Sequence, residues 1–217
     1  YDAFALEEDG RIENQVKNEY RELNLSNPPK FIWANSSAQA REIIDSETEI
    51  DMIICMFNEQ DKGIFPFASE LKDKGCGIPF ILLIHYSKAV RQRVLESPHN
   101  GVDFVFSWHG NADLILAIVK LLEDAANAEN DVFEVGVKGI LLVEDSIRYY
   151  SNYLPELYKI VLTQSREFLT ESLNDDQKKY RKRSRPKIFL ATCLEEALAY
   201  FEKYRRNLLG VISDVGM

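Results

Sequence analysis

Cysteine and histidine are scarce in this chain of 217 residues, with three of each. Cys55, Cys76 and Cys193 lie far apart, and an odd, unclustered set is neither a disulfide framework nor a zinc site. His85, His99 and His109 lack metal-ligand spacing. No apolar run approaches the roughly 18 residues of a membrane-spanning helix. The basic, apolar and small-residue sections of a signal peptide are missing too, so a reducing cytoplasm is the expected home. Positive charge is short: 26 Lys and Arg stand against 35 Asp and Glu, a net charge of -9. That balance argues against a general nucleic-acid binder, because nothing overall attracts phosphate backbones. Neither a phosphate-cradling glycine loop nor a dinucleotide fingerprint appears. What is present, 46% hydrophobic and 28% charged residues, is the profile of a globular chain long enough for one large domain or two ordinary ones.

From residue 29 onward, strand-like and helix-like segments alternate. Lys30 to Ala34 reads as a short buried strand, and Ser37 to Asp45 as a helix with Ala40, Ile43 and Ile44 on one face. Met52 to Phe57 is a continuous apolar run, the mark of a strand covered on both faces; Pro79 to Ile84 reads as a second covered strand and Val102 to Phe106 as a third. Phe65 to Lys72 fits a helix with Pro66 in its first turn. Asn111 can cap a helix whose Leu114, Ile115, Ile118, Leu121 and Leu122 form one stripe. Ala125 to Val135 is small, polar and acidic, and reads as a linker.

A second unit then opens with the strand Gly139 to Val143, which ends in Glu144-Asp145. Tyr149, Tyr150, Tyr153, Leu154, Leu157, Ile160 and Val161 fit a helical face, Lys187 to Ala191 a strand, Leu194 to Tyr204 a helix, and Leu209 to Ser213 a strand ending at Asp214. The halves form a weak internal repeat, with Pro29 to Ala34 parallel to Pro186 to Ala191. Alternation of this kind predicts an α/β fold with a doubly wound parallel sheet. The expected domains are 1–128 and 136–217.

Ligands collect at the carboxyl ends of parallel strands, beside the point where strand order reverses. Glu144 and Asp145 end one strand and Asp214 another, so neighbouring strands would bring three carboxylates together. Like charge so concentrated is unfavourable unless a cation offsets it, and hard oxygen donors suit Mg²⁺. The plainer alternative makes these acids helix caps or solvated loop residues.

The runs Ile140 to Ser146 and Val211 to Met217 resemble the receiver domain of bacterial response regulators, which has an acidic pair after its first strand and a phosphoacceptor aspartate after its third. That resemblance implies a flavodoxin-like fold and a two-component or phosphorelay role. Asp214 would be the phosphoacceptor and Asp145 a direct Mg²⁺ ligand. Glu144 would be an outer-shell or second ligand, and the Gly216 carbonyl a further one. It also implies a histidine kinase or phosphotransfer protein as partner, and an output or enzyme domain downstream. The family's hydroxyl after strand four and lysine after strand five have no counterpart before Met217, so the second unit is expected to be truncated. Met56, Ile84 and Trp108 fall at the phosphoacceptor, hydroxyl and lysine positions of the first unit, which makes that unit a pseudo-receiver. The chain would thus be a regulatory module and not itself an enzyme.

Two units with an acidic opening from Leu6 to Glu13 also resemble the amino-terminal regulatory part of some phosphoenolpyruvate synthase or pyruvate phosphate dikinase-like proteins, though none of those enzymes' catalytic residues is present. A flavodoxin-like flavin binder is the other rival, and the Glu144-Asp145-Ser146 turn would repel its phosphate. The basic run from Lys178 to Lys187 carries seven cations and is expected to be a solvated helix end. Finally, Ile140 to Val143 could supply the first unit's missing strand, as in a circular permutant, in which case Ile140 would pair between the strands at Lys30 and Met52.

Overall fold

The computed structural model describes residues 11–23, 25, 27–46, 49–58, 63–85, 101–170 and 185–214. Along the chain run α1 (Arg11–Glu22), α2 (Ser37–Asp45), β1 (Ile53–Met56), α3 (Ile64–Asp73), β2 (Phe80–Ile84), β3 (Phe104–Ser107) and α4 (Ala112–Glu129). A π-helical turn (Asn130–Glu134), β4 (Gly139–Val143), α5 (Ile147–Thr170), β5 (Lys187–Ala191), α6 (Leu194–Tyr204) and β6 (Leu208–Ser213) follow. The fold is α/β with two parallel sheets of three strands, ordered β1-β2-β3 and β5-β4-β6. Compactness divides the chain differently from the expected 1–128 and 136–217. One unit is Lys30–Gly110, and the other joins Tyr1–Pro29 to Asn111–Met217.

In the Lys30–Gly110 unit β2 is central, with Leu82 opposite Cys55 on one side and Val105 on the other. All five residues of β2 are buried, as a parallel strand with two neighbours requires. Its start is held by Asp103, whose carboxylate accepts from the Phe80 amide at 2.7 Å and pairs with Lys72 at 2.8 Å. The Ser36 hydroxyl accepts from the Gln39 amide and caps α2. Lys30 to Ala34 is not a strand: it makes no ladder, and Ile32 and Trp33 are each 41% exposed. Its composition suits a strand, but propensity without a neighbouring strand leaves the backbone unpaired.

In the other unit β4 is central, and Leu142 pairs with Leu190 of β5 and Ile212 of β6. This sheet is separate from β1-β2-β3, which rejects the circular permutant. Gly139 fits beside the Phe189 ring, where an added Cβ would lie 2.6 Å from a ring carbon. Phe189 stacks on Tyr204 at 4.7 Å and on Tyr200 at 5.3 Å, fastening α6 to the sheet. Ala128 and Val132 share that core with Leu141, Val143, Ala191 and Ala197. Ala125 to Val135 is therefore no linker. Helix α4 runs through it to Glu129 and the π-helical turn continues to Glu134, because burying Ala128 and Val132 against the sheet favours helix. Asn111 caps α4 as expected, accepting from the Asp113 amide at 2.9 Å.

Asp124 explains why α4 belongs here. Its carboxylate is fully buried and takes Arg185 at 2.6 and 2.9 Å, the Tyr158 hydroxyl at 2.9 Å, the Ile188 amide at 3.0 Å and Lys187 at 3.4 Å. Lys187 in turn pairs with Asp131 at 2.6 Å. Burial alone would lower the Arg185 pKa, but the Asp124 carboxylate more than offsets that and raises it. The end of the basic run is accordingly not a solvated helix end: Arg185 and Lys187 are sunk into an ion-pair network at the amino end of β5. Lys178 to Ser184 lie outside the described residues.

Candidate functional site

The apolar β4 ends at Val143, and its ladder is continued by the Glu144 amide, which donates to Ala191 at 3.0 Å. Beside it, the Asp214 amide donates to the Val143 carbonyl at 3.3 Å. Glu144, Asp145 and Asp214 therefore sit at the carboxyl ends of two adjacent parallel strands, with β4 between β5 and β6. Residue by residue they differ. Asp145 and Asp214 are exposed. Glu144 is buried, 4% exposed, and its Oε1 accepts from the Ser146 amide at 3.1 Å. The Ser146 carbonyl then accepts from the Tyr149 and Tyr150 amides at 2.9 and 3.0 Å, opening α5.

The backbone brings the expected residues together, but the side chains do not gather. Among the described residues no group of three or more His, Cys, Asp or Glu is placed to hold a metal ion. Of the three carboxylates, Glu144 has one oxygen, Oε1, engaged within the β4–α5 turn. Gly216 lies outside the described residues. Asp145 and Asp214 remain a pair of hard oxygen donors of the kind a divalent ion takes.

Further polar groups surround this edge. Glu196 accepts from the Thr192 amide at 2.8 Å and the Thr192 hydroxyl at 3.1 Å, fixing the turn after β5. Burial, with the Glu196 carboxylate nearby, pushes the Tyr150 phenol above its ordinary pKa. Tyr149 and Tyr153, expected on the packed helix face, are instead exposed and stack on each other at 6.0 Å.

The other sheet presents a contrasting carboxyl edge. Met56 ends β1, Ile84 ends β2 and is fully buried, and Trp108, 2% exposed, follows β3. Sequence reasoning missed a hydroxyl here: Ser107 Oγ lies 3.1 Å from His109 Nε2. It missed Asp124 as well, although an acid within an otherwise apolar helical stripe was the available signal. Arg41 and Glu70, paired at 2.7 Å, also went unread. Among the described residues no helix is long and apolar enough to cross a membrane. Neither a family model, nor a curated protein, nor a solved structure matches this chain.

Proposed function

We propose that the protein is a signal-transduction module of the two-component type, in which the unit carrying β4 is a receiver with Asp214 as phosphoacceptor. The observation that carries the reading is the strand order β5-β4-β6. Taken in chain order from β4, it is second-first-third, the opening of the flavodoxin-like order with its ligand crevice between first and third strands. Asp145 follows the first of these and Asp214 the third, with the Asp214 amide on the Val143 carbonyl. An exposed carboxylate at that crevice can attack a phosphoryl group in line, its oxygen forming the new P–O bond as the donor's leaving group departs.

Asp145 and Asp214 would hold Mg²⁺, which supplies neutralisation of phosphoryl charge when bound. Asp145 is exposed between Glu144 and Ser146, which are joined by a hydrogen bond. The order β1-β2-β3 corresponds to the third, fourth and fifth strands of the same plan. That match supports reading Met56, Ile84 and Trp108 as occupants of the phosphoacceptor, hydroxyl and lysine positions. A thioether, an alkyl group and an indole neither hold a cation nor accept phosphate, so this part is a pseudo-receiver retained for packing or partner contact. On this reading the protein works in the cytoplasm, takes phosphate from a histidine kinase or phosphotransfer protein, and relays it to an output domain.

The reading is tested with the protein expressed from its full reading frame and incubated with Mg²⁺ and acetyl phosphate. Intact-mass spectrometry should record the gain of one phosphoryl group in wild type and none in Asp214→Asn. An unmodified wild type, or equal labelling of the variant, would overturn it.

A further inference from the structure

Resting on that receiver reading, the geometry assigns Glu144 a role other than metal ligand: it is a positioning residue, whose carboxylate holds the β4–α5 turn so that Asp145 alone of the acidic pair meets the cation. Two adjacent acids of similar chemistry have opposite environments here. Asp145 is exposed, whereas Glu144 is 4% exposed and spends Oε1 on the Ser146 amide at 3.1 Å. A buried carboxylate without a donor is costly, and a backbone amide at its reach lowers that cost. Ser146 is the residue to hold, since its carbonyl receives the Tyr149 and Tyr150 amides and starts α5. Glu144 is held from the other side by its own amide on Ala191 at 3.0 Å. Main chain and side chain together therefore fix the residues on either side of Asp145, the backbone from which its exposed carboxylate extends.

Gln keeps the acceptor oxygen and removes the charge, whereas Ala removes both, so the two substitutions separate positioning from ligation. Mg²⁺ is titrated calorimetrically into full-chain wild type, Glu144→Gln, Glu144→Ala and Asp145→Asn, and exchange of the Ser146 amide is followed in the same proteins. Glu144→Gln should keep the wild-type affinity and Ser146 protection. Glu144→Ala should weaken affinity by about tenfold, the usual cost of losing a group that orients a ligand, and should expose the Ser146 amide. Asp145→Asn should lose the cation while Ser146 stays protected. If Glu144→Gln loses affinity as Asp145→Asn does, Glu144 is a ligand and the assignment falls. It falls equally if Glu144→Ala matches wild type in both readouts. A wild type that binds no Mg²⁺ would instead sink the receiver reading. Ser146 exchange then decides the turn-holding role alone, which stands only if Gln keeps a protection that Ala loses.

Discussion

The two ends of the β5-β4-β6 sheet treat the same side chain in opposite ways. At the amino end of β5, the Asp124 carboxylate is fully buried and saturated by Arg185, Lys187, Tyr158 and the Ile188 amide. At the carboxyl ends of β4 and β6, Asp145 and Asp214 stand exposed. Water removed from a carboxylate must be replaced by donors in the fold, and at the first end four groups replace it around Asp124. The lesson is that residue type alone does not say whether an acid is built into the fold: Asp124 is buried and Asp145 and Asp214 are exposed. Glu144 stands between the two cases, buried like Asp124 but satisfied by its own turn.

Breaking the saturated end should have the largest effect. Asp124→Ala leaves Arg185 and Lys187 buried beside each other without their shared partner, and should cost about 3–5 kcal/mol by urea denaturation. A loss below about 1 kcal/mol, the level of an exposed ion pair, would mean that water already screens the network. At the open end, Asp214→Asn should change stability by no more than about 0.5 kcal/mol, as for a surface site. A drop of about 2 kcal/mol, the range of a hydrogen bond to a charged group, would make Asp214 structural and erase the contrast.

The smallest effect belongs to a half-buried pair in the Lys30–Gly110 unit, Arg41 and Glu70. Hydrogen bonds from Arg41 and Lys74 lower the Glu70 pKa from 4.5 to about 2. A depressed carboxylate pKa contributes stability above the unfolded value and loses it as pH falls through the folded one. Glu70 should therefore add a slight fall in Tm between pH 4.5 and about 2, and Glu70→Gln should flatten that part of the profile. An identical profile in the variant would show that solvent cancels the pair.

Much of the fold was legible because apolar runs report burial directly. PFILLI and KIFLA became β2 and β5, both buried throughout, and the Asn111 cap is where its side chain predicted. Lys30 to Ala34 misled because its composition matches that of KIFLA but for Trp33 in place of a leucine, while a strand also needs a partner, which composition does not encode. Ala125 to Val135 misled because its small and acidic composition hid the Ala128–Val132 spacing that packs on the sheet, and because Asp131 is buried against Lys187 instead of solvated. The position of Glu144, Asp145 and Asp214 at strand ends was readable from the runs before them. The burial of Glu144 was not, since it depends on where the Ser146 amide points once the turn has formed.

The central claim is that Asp214 accepts a phosphoryl group, and ¹⁹F NMR of the protein with Mg²⁺ and beryllofluoride, a phosphoryl mimic, tests it most directly. A protein-bound fluoride signal should appear with wild type, require Mg²⁺, and vanish in Asp214→Asn. A signal that persists in the variant, or none with wild type, would contradict it.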